Sequence, residues 1–264
     1  MRSRFQVHKI GNKLSYQKIN RAIGQSVTDF KMIAPGDKIL VAISGGKDSL
    51  CMLHFLKEFQ KKVLIDFEIL AVNVDQKQPG FPTEILPKLF KEWNVPYEIV
   101  EQDTYRAVAE KTLPGKSYCS LCSRLRRDTL YDSARNVGCN KIALGHHRED
   151  VLETFMMNLF FSGQLGSMPA HYQIQAEGLQ VIRPLFSVYE DWIADFVQAQ
   201  GWPIIACNLC GSQEYLKRRE MKELLNQLQE QYPKLKETAF RSLHNPKPKF
   251  LFDQKSWETE IPKI

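Results

Sequence analysis

The sequence of 264 residues is 43% hydrophobic and 25% charged, a globular balance with length for one main core, and no apolar run approaches the about 20 residues needed to span a bilayer. A net charge of +6 and a pI near 8.9 permit a nucleic-acid partner without requiring one. The charged start Met1-Arg2-Ser3-Arg4 lacks the apolar stretch of a secretory leader, so a cytoplasmic location is expected, and there six cysteines point to metal or redox chemistry more than to disulfides.

Residues 1–34 read as a basic amphipathic helix. Leu14, Ile19, Ile23 and Val27 recur among Lys9, Lys13, Lys18 and Arg21, and Pro35-Gly36 stops the helix. Those basic residues suit RNA phosphates or a plain solvated face. Lys38 to Ile43 is apolar and β-branched, as a buried parallel strand is. After the turn Ser44-Gly45-Gly46-Lys47-Asp48-Ser49, Leu53, Leu56 and Phe59 give a helical period. Phe67 to Val74 is a second strand, closed by Asp75 and the turn Gln78-Pro79-Gly80. Leu86, Leu89, Phe90 and Trp93 mark a helix, Tyr97 to Val100 a third strand and Lys141 to Leu144 a fourth, followed by a helix from about Glu149 to Phe161.

Pro203-Ile204-Ile205 is strand-like, and Leu216 to Leu235 is an amphipathic helix. Strands alternating with helices give an α/β fold, a parallel sheet with helices on both faces and helical additions at each end. The expected division is a basic helical region over 1–34, the main domain over 35–230 and a C-terminal extension over 231–264, with little periodicity after Asn245. Ligands of such sheets bind beyond the carboxyl ends of the strands. That places the Ser44 loop, Asn73 to Asp75 and Gly145-His146-His147 on one rim.

The Ser44–Ser49 turn joins a strand to a helix. Its N–H groups lack helix carbonyls and sit at the positive end of the helix dipole. Gly45 and Gly46 let an anion approach the backbone, while Ser44, Lys47 and Ser49 add donors. The loop lacks the first glycine of G-x-x-x-x-G-K-[ST], and Asp48 follows the lysine. The hexapeptide instead resembles the PP-loop of ATP pyrophosphatases, which cleave ATP between the α and β phosphates. A bare capping turn is the simpler alternative, and the strand–turn–helix setting favours nucleotide.

Cys119 and Cys122 lie three apart before Arg124, Arg126 and Arg127, and Cys207 and Cys210 form a second pair. Thiolates at a helix start beside arginines are stabilised as anions. The long gap between the pairs weakens a structural zinc reading, which spaces them by about 15–20 residues. An iron–sulfur cluster or a sulfur-carrying redox pair stays open on spacing alone. Cys51 and Cys139 read as core thiols.

Together, Ser44–Ser49, Cys119-x-x-Cys122 with Ser123-Arg124-Leu125-Arg126-Arg127, Gly145-His146-His147-Arg148-Glu149-Asp150, Arg183-Pro184-Leu185 and Cys207-Asn208-Leu209-Cys210-Gly211-Ser212-Gln213 resemble, in order, the TtcA family of tRNA-cytidine 2-thiolation enzymes. The resemblance spans about residues 15–230. It implies ATP, magnesium, a [4Fe-4S] cluster, a tRNA substrate, a cysteine desulfurase as sulfur donor and 2-thiocytidine in the anticodon loop as product. It also implies that Cys119, Cys122 and Cys210 hold the cluster and that Cys207 does not, leaving one iron open for sulfide. The zinc-binding cysteine pairs of related uridine enzymes are missing. Glu149 stands where the family usually has the first of two aspartates; Asp150 is retained.

The mechanism so implied adenylates the cytidine C2 oxygen and then replaces it with sulfide. The site residues expected are Lys47, Asp48 and Asp150 for catalysis, with Ser44, Gly45, Gly46 and Ser49 completing the ATP loop. Asp48 and Asp150 suit magnesium or a helix cap equally. A cysteine persulfide without a cluster, or a zinc-stabilised tRNA-binding module, are the alternatives, and a homodimer is left open. His146 and His147 reach the ligand rim, where buried satisfied histidines are the usual case. Arg183 is expected to meet a phosphate or carboxylate. Met156, Met157, Phe160 and Phe161 read as a core face and Glu190 as helix-start charge. Lys217, Arg218, Arg219 and Lys222 form, with Arg124 to Arg127, the expected RNA-backbone patch.

Overall fold

The computed structural model describes residues 4–63, 65–103, 118–174, 178–205 and 213–252, with the side chains of 4–12, 118–123, 213–215 and 249 outside that description. The helix α1 (Arg4–Asp29) leads to β1 (Asp37–Ala42), α2 (Lys47–Lys62), β2 (Phe67–Asp75), α3 (Ile85–Glu92) and β3 (Tyr97–Glu101). Then follow α4 (Tyr118–Asn136), β4 (Lys141–Ala143), α5 (Arg148–Met157), β5 (His171–Gln173) and β6 (Gln180–Ile182). The described chain ends with α6 (Glu190–Gln200), α7 (Gln213–Gln231) and α8 (Leu235–Leu243).

The sheet order is β3-β2-β1-β4-β6-β5. All neighbours run parallel except β5 against β6. The sheet is therefore mostly parallel rather than wholly so, and β1 lies near its centre between β2 and β4. The period of two along β1 feeds two cores. Ile39, Val41 and Ile43 face α2, whose Leu50, Leu53, Phe55 and Leu56 are buried with them. Leu40 faces the other way with Val72 and Ile142, beneath Leu130 and Ala134 of α4. Each such fully buried aliphatic side chain contributes about 1.5–3 kcal/mol against exposure, which fixes β1 and hence the loop that leaves it.

Ile19, Ile23 and Val27 of α1 are buried in the larger core, while Leu14 is 51% exposed. The N-terminal helix is thus packed on the sheet's helical layer rather than appended to it.

Three local expectations change. Residues 203–205 form no strand; Ile205 instead donates its N–H to the Gly45 carbonyl (3.0 Å) and is buried against that loop. The helix expected to run to Phe161 is α-helical only to Met157. It continues as a π-turn over Asn158–Ser162 that ends at Gly163, φ +62°. That turn rotates Phe160 and Phe161 outward to 54% and 48% exposure, so they are not core, and Lys217 lies over the Phe161 ring at 4.7 Å. The amphipathic helix after 216 breaks at 232–234, around Pro233, into α7 and α8.

Candidate active site

β1, β2 and β4 deliver three connections to one rim. β1 ends into Ser44–Gly46, β2 contributes Asn73 and Asp75, and β4 runs into Gly145-His146-His147. Asn73 is buried, and its Nδ2–H donates to the Ile43 carbonyl at 2.7 Å, tying the β2 end to the loop. Ser49 Oγ–H donates to the Gly46 carbonyl (2.9 Å), and the Gly46 N–H lies 3.3 Å from Ser44 Oγ.

Gly45 has φ +86°, and a Cβ there would sit 2.9 Å from the Ile205 side chain. Conformation and space both demand glycine. A Cβ on Gly145 would press on the backbone of Asp48 and Ser49 at 3.3 Å, so this glycine lets β4's loop close on the start of α2. Gly46 is the N-cap of α2 and no side chain caps that helix. Its first-turn N–H groups are left for an anion.

A cavity of about 320 Å³ opens beside the loop, lined among others by Ser44, Asp48, Asn73, Phe81, Arg126 and His146. That is the lower range for a small-molecule site. On the other side of Asp48 lies a cluster of charges. Lys47 Nζ donates to Asp48 Oδ1 (3.0 Å) and to Glu190 Oε1 (3.1 Å), and Lys222 Nζ donates to Glu190 Oε2 (2.6 Å). Asp150 Oδ2 accepts the His147 N–H (3.0 Å), closing the first turn of α5, and its Oδ1 lies 3.5 Å from Arg218.

His147 is buried, with Nε2 3.9 Å from Asp48, 3.5 Å from Asp150 and 3.9 Å from Glu190. Burial opposes its charge, but the hydrogen bond to Glu149 and the surrounding carboxylates raise its pKa above the ordinary value. His146 goes the other way. Burial and then the Arg183 charge lower it to about 4, so it is neutral at physiological pH. Arg183 Nε–H donates to His146 Nδ1 at 3.2 Å, which leaves Nε2 as the protonated nitrogen.

Among the described residues, Arg183 is held by groups other than a carboxylate. It holds His146 and the Pro169 carbonyl and lies against the Tyr172 ring. Both carboxylate oxygens of Glu149 are already engaged. Arg148 donates to its Oε1 at 2.7 Å, and its Oε2 accepts the Glu190 N–H at 2.8 Å. Burial would raise the Glu149 pKa, but His147, Arg148 and that N–H hold it at about 2. Glu149 thus braces the start of α5 against the start of α6. Arg148 is itself stacked on Tyr189, which stacks on Trp192 beside Lys18 of α1.

Glu190 is more than helix-start charge, because it bridges Lys47 and Lys222. Nothing in its local sequence signals this; the pairing joins the start of α2, the start of α6 and α7. Arg218 and Lys222 face this cluster rather than an outer patch, whereas Arg219 pairs with Glu223 and is 63% exposed at its side chain. Cys119 and Cys122 fall in the first turns of α4, where side chains are outside the description, and Cys207 and Cys210 lie outside the described residues.

Glu153, one turn beyond Glu149, is 4% exposed. Burial, then the Asp150 charge, raise its pKa to about 7. A carboxyl held above its unfolded pKa near 4.5 favours the protonated fold, so stability falls as pH rises from about 4.5 through 7. Glu153→Gln is therefore expected to stabilise the protein at pH 8 by roughly 3 kcal/mol and to have little effect at pH 5. Melting curves check this: an equal change in Tm at the two pH values contradicts it.

A family model described as the PP-loop domain matches residues 15–228. A "tRNA-cytidine(32) 2-sulfurtransferase" of Azotobacter vinelandii is 50% identical over 247 residues, covering 94% of this chain and 90% of the relative. One of Tolumonas auensis is 48% identical, covering 94% and 82%. Among solved structures, the U34-tRNA thiolase NcsA from Methanococcus maripaludis with its [4Fe-4S] cluster superposes with a TM-score of 0.70 at 21% identity, over 89% of this chain and 81% of that one. At that identity the likeness speaks for the fold.

Proposed function

The chain belongs to the tRNA-cytidine(32) 2-sulfurtransferases, built on a PP-loop domain, and we propose from its geometry how the reaction is divided among its residues. The enzyme acts on tRNA, and the PP-loop domain implies use of ATP. The observation that carries the proposal is the junction at Asp48, which lines the 320 Å³ cavity on one side and meets Lys47 and the Glu190 cluster on the other. The nucleoside occupies the cavity, and the pyrophosphate lies along the Ser44–Ser49 loop on the N–H groups of α2 and on Lys47.

Magnesium fits the donors present. Asp48 and Asp150 both have a carboxylate oxygen within 4 Å of His147 Nε2, and among the described residues no three such ligands close on a metal alone. Mg²⁺ takes one or two carboxylates with phosphate oxygens, as this pair offers. Neutral His146 presents its Nε2–H at the cavity as a fixed donor. The cytidine C2 oxygen attacks the α-phosphate, pyrophosphate leaves, and sulfur displaces AMP from C2. The cytidine reaches the pocket out of its stack, which costs least in a loop.

The resemblance to the TtcA family supports Cys119, Cys122 and Cys210 as ligands of a [4Fe-4S] cluster. Three thiolates fit such a cluster's ligand type, and when bound it would hold a sulfide on the iron left open. A cysteine desulfurase is the sulfur source.

Protein handled without oxygen is incubated with a tRNA transcript, Mg-ATP and sulfide. The expected result is 2-thiocytidine at position 32, with one AMP and one pyrophosphate per modified nucleoside. ADP and phosphate as products overturn attack at the α-phosphate.

A further inference from the structure

We infer that Arg218 and Lys222 of α7 are a second set of ATP-phosphate ligands, held on the site's carboxylates until Mg-ATP arrives; the inference rests on reading the Ser44–Ser49 loop as the pyrophosphate site. The two residues are one turn apart and share a helix face. Lys222 Nζ donates to Glu190 Oε2 at 2.6 Å, and the other oxygen of that carboxylate accepts from Lys47 at 3.1 Å. The α7 ammonium is thus one carboxylate away from the loop lysine. Arg218 is 3.5 Å from Asp150 Oδ1 and 3.5 Å from Thr154 Oγ1. Both contacts are at the outer limit of hydrogen bonding, so the guanidinium is loosely held.

The flanking basic residues are employed elsewhere. Lys217 lies on the Phe161 ring, and Arg219 pairs with Glu223. The helix therefore separates an inward pair, Arg218 and Lys222, from outward charges suited to RNA.

Charge balance explains why this pair belongs to the nucleotide. Arg148 and Glu149 form a closed, buried pair, with side chains 6% and 10% exposed. Asp48, Asp150 and Glu190 remain, against Lys47, Arg218 and Lys222 at 20% to 42% side-chain exposure, with the buried His147 facing all three carboxylates. Mg²⁺ held by Asp48 and Asp150 would take a partner from Lys47 and from Arg218, while Lys222 would keep Glu190, whose other oxygen accepts from Lys47. The phosphate oxygens arriving with the metal are the matching anions. An exposed ion pair is worth little, so exchanging it for a phosphate contact is cheap. Because α7 begins three residues after Cys210, the exchange also ties the ATP site to the helix that follows the second cysteine pair.

The test is calorimetric binding of Mg-ATP and of AMP to the full chain without tRNA. Lys222→Ala and Arg218→Ala are expected to weaken Mg-ATP about tenfold or more and to leave AMP unchanged, since AMP lacks the β and γ phosphates. Lys222→Arg is expected to recover most of the loss. The double variant Lys217→Ala/Arg219→Ala is expected to bind Mg-ATP as wild type and to bind tRNA with a shallower salt slope. The inference is overturned if Lys222→Ala and Arg218→Ala bind Mg-ATP within twofold of wild type, or if they lose ATP and AMP equally, which marks a structural effect. If wild type itself prefers ATP no more than AMP, the loop reading fails; if it does prefer ATP and the variants keep that preference, only this inference fails.

Discussion

Lys47→Ala is expected to cut pyrophosphate release by at least about 10³-fold while leaving the fold intact. The rate argument is electrostatic. Charge accumulates on the leaving pyrophosphate as the α-phosphate is attacked, and Lys47 is the loop's own cation at the start of α2. Phosphoryl transfer depends on positioned charge more than on covalent help, and losing one such donor alone costs about 10²–10³.

The fold argument comes from exposure. The Lys47, Asp48 and Glu190 side chains are 29%, 27% and 20% exposed, and Glu190 keeps Lys222 when Lys47 is removed. Partly exposed pairs of this kind contribute about 1 kcal/mol. Asp48→Ala is expected to give a similar loss, relieved in part by excess magnesium if the metal's other ligands persist. The measurement is pyrophosphate release with tRNA present, beside a melting curve. A variant Lys47→Ala that adenylates at the wild-type rate removes the loop from the centre of the mechanism; one that fails to fold overturns the exposure argument.

The sequence disclosed the frame and the loop because each rests on local pattern. The apolar run of β1, the period of α2 and the glycines between them state a strand, a turn and a helix within a few residues. What it hid were the pairings made across the fold. Glu190 looks like any acid at a helix start, yet the Glu149 carboxylate fixes its N–H, and its own carboxylate joins Lys47 to Lys222. The α7 charges looked like one surface patch because helical spacing alone does not say which side meets α5. Arg183 sets the tautomer of His146, a role visible only with both side chains in place. The strands β5 and β6 have three residues each, too short for a period of two to register. The exposed Phe160 and Phe161 were missed because a π-turn breaks the 3.6-residue period that assigned them to the core.

Cys210→Ser is expected to lose iron and thiolation together, as are Cys119→Ser and Cys122→Ser, whereas Cys207→Ser is expected to keep its iron and its visible absorbance. Spacing alone makes Cys207 and Cys210 equal ligands, so the distinction rests on the resemblance to the TtcA family. Its chemical consequence is large. Three protein thiolates on a four-iron cube leave one iron open to sulfide, whereas a fourth thiolate closes the cube and leaves it suited to electron transfer or structure. Iron and sulfide analysis of each variant, purified without oxygen, reads the ligand set independently of activity. Pyrophosphate release in the same variants is expected to persist, because ATP activation is assigned to Lys47 and the Ser44–Ser49 loop and sulfur delivery to the cysteines. Loss of iron in Cys207→Ser with retention in Cys210→Ser exchanges the two assignments. Loss in both makes the site a four-thiolate one, with no iron left open for sulfide. Retained iron with lost thiolation in Cys207→Ser makes that residue a sulfur carrier beside the cluster, and sulfur then reaches the adenylated cytidine through a persulfide.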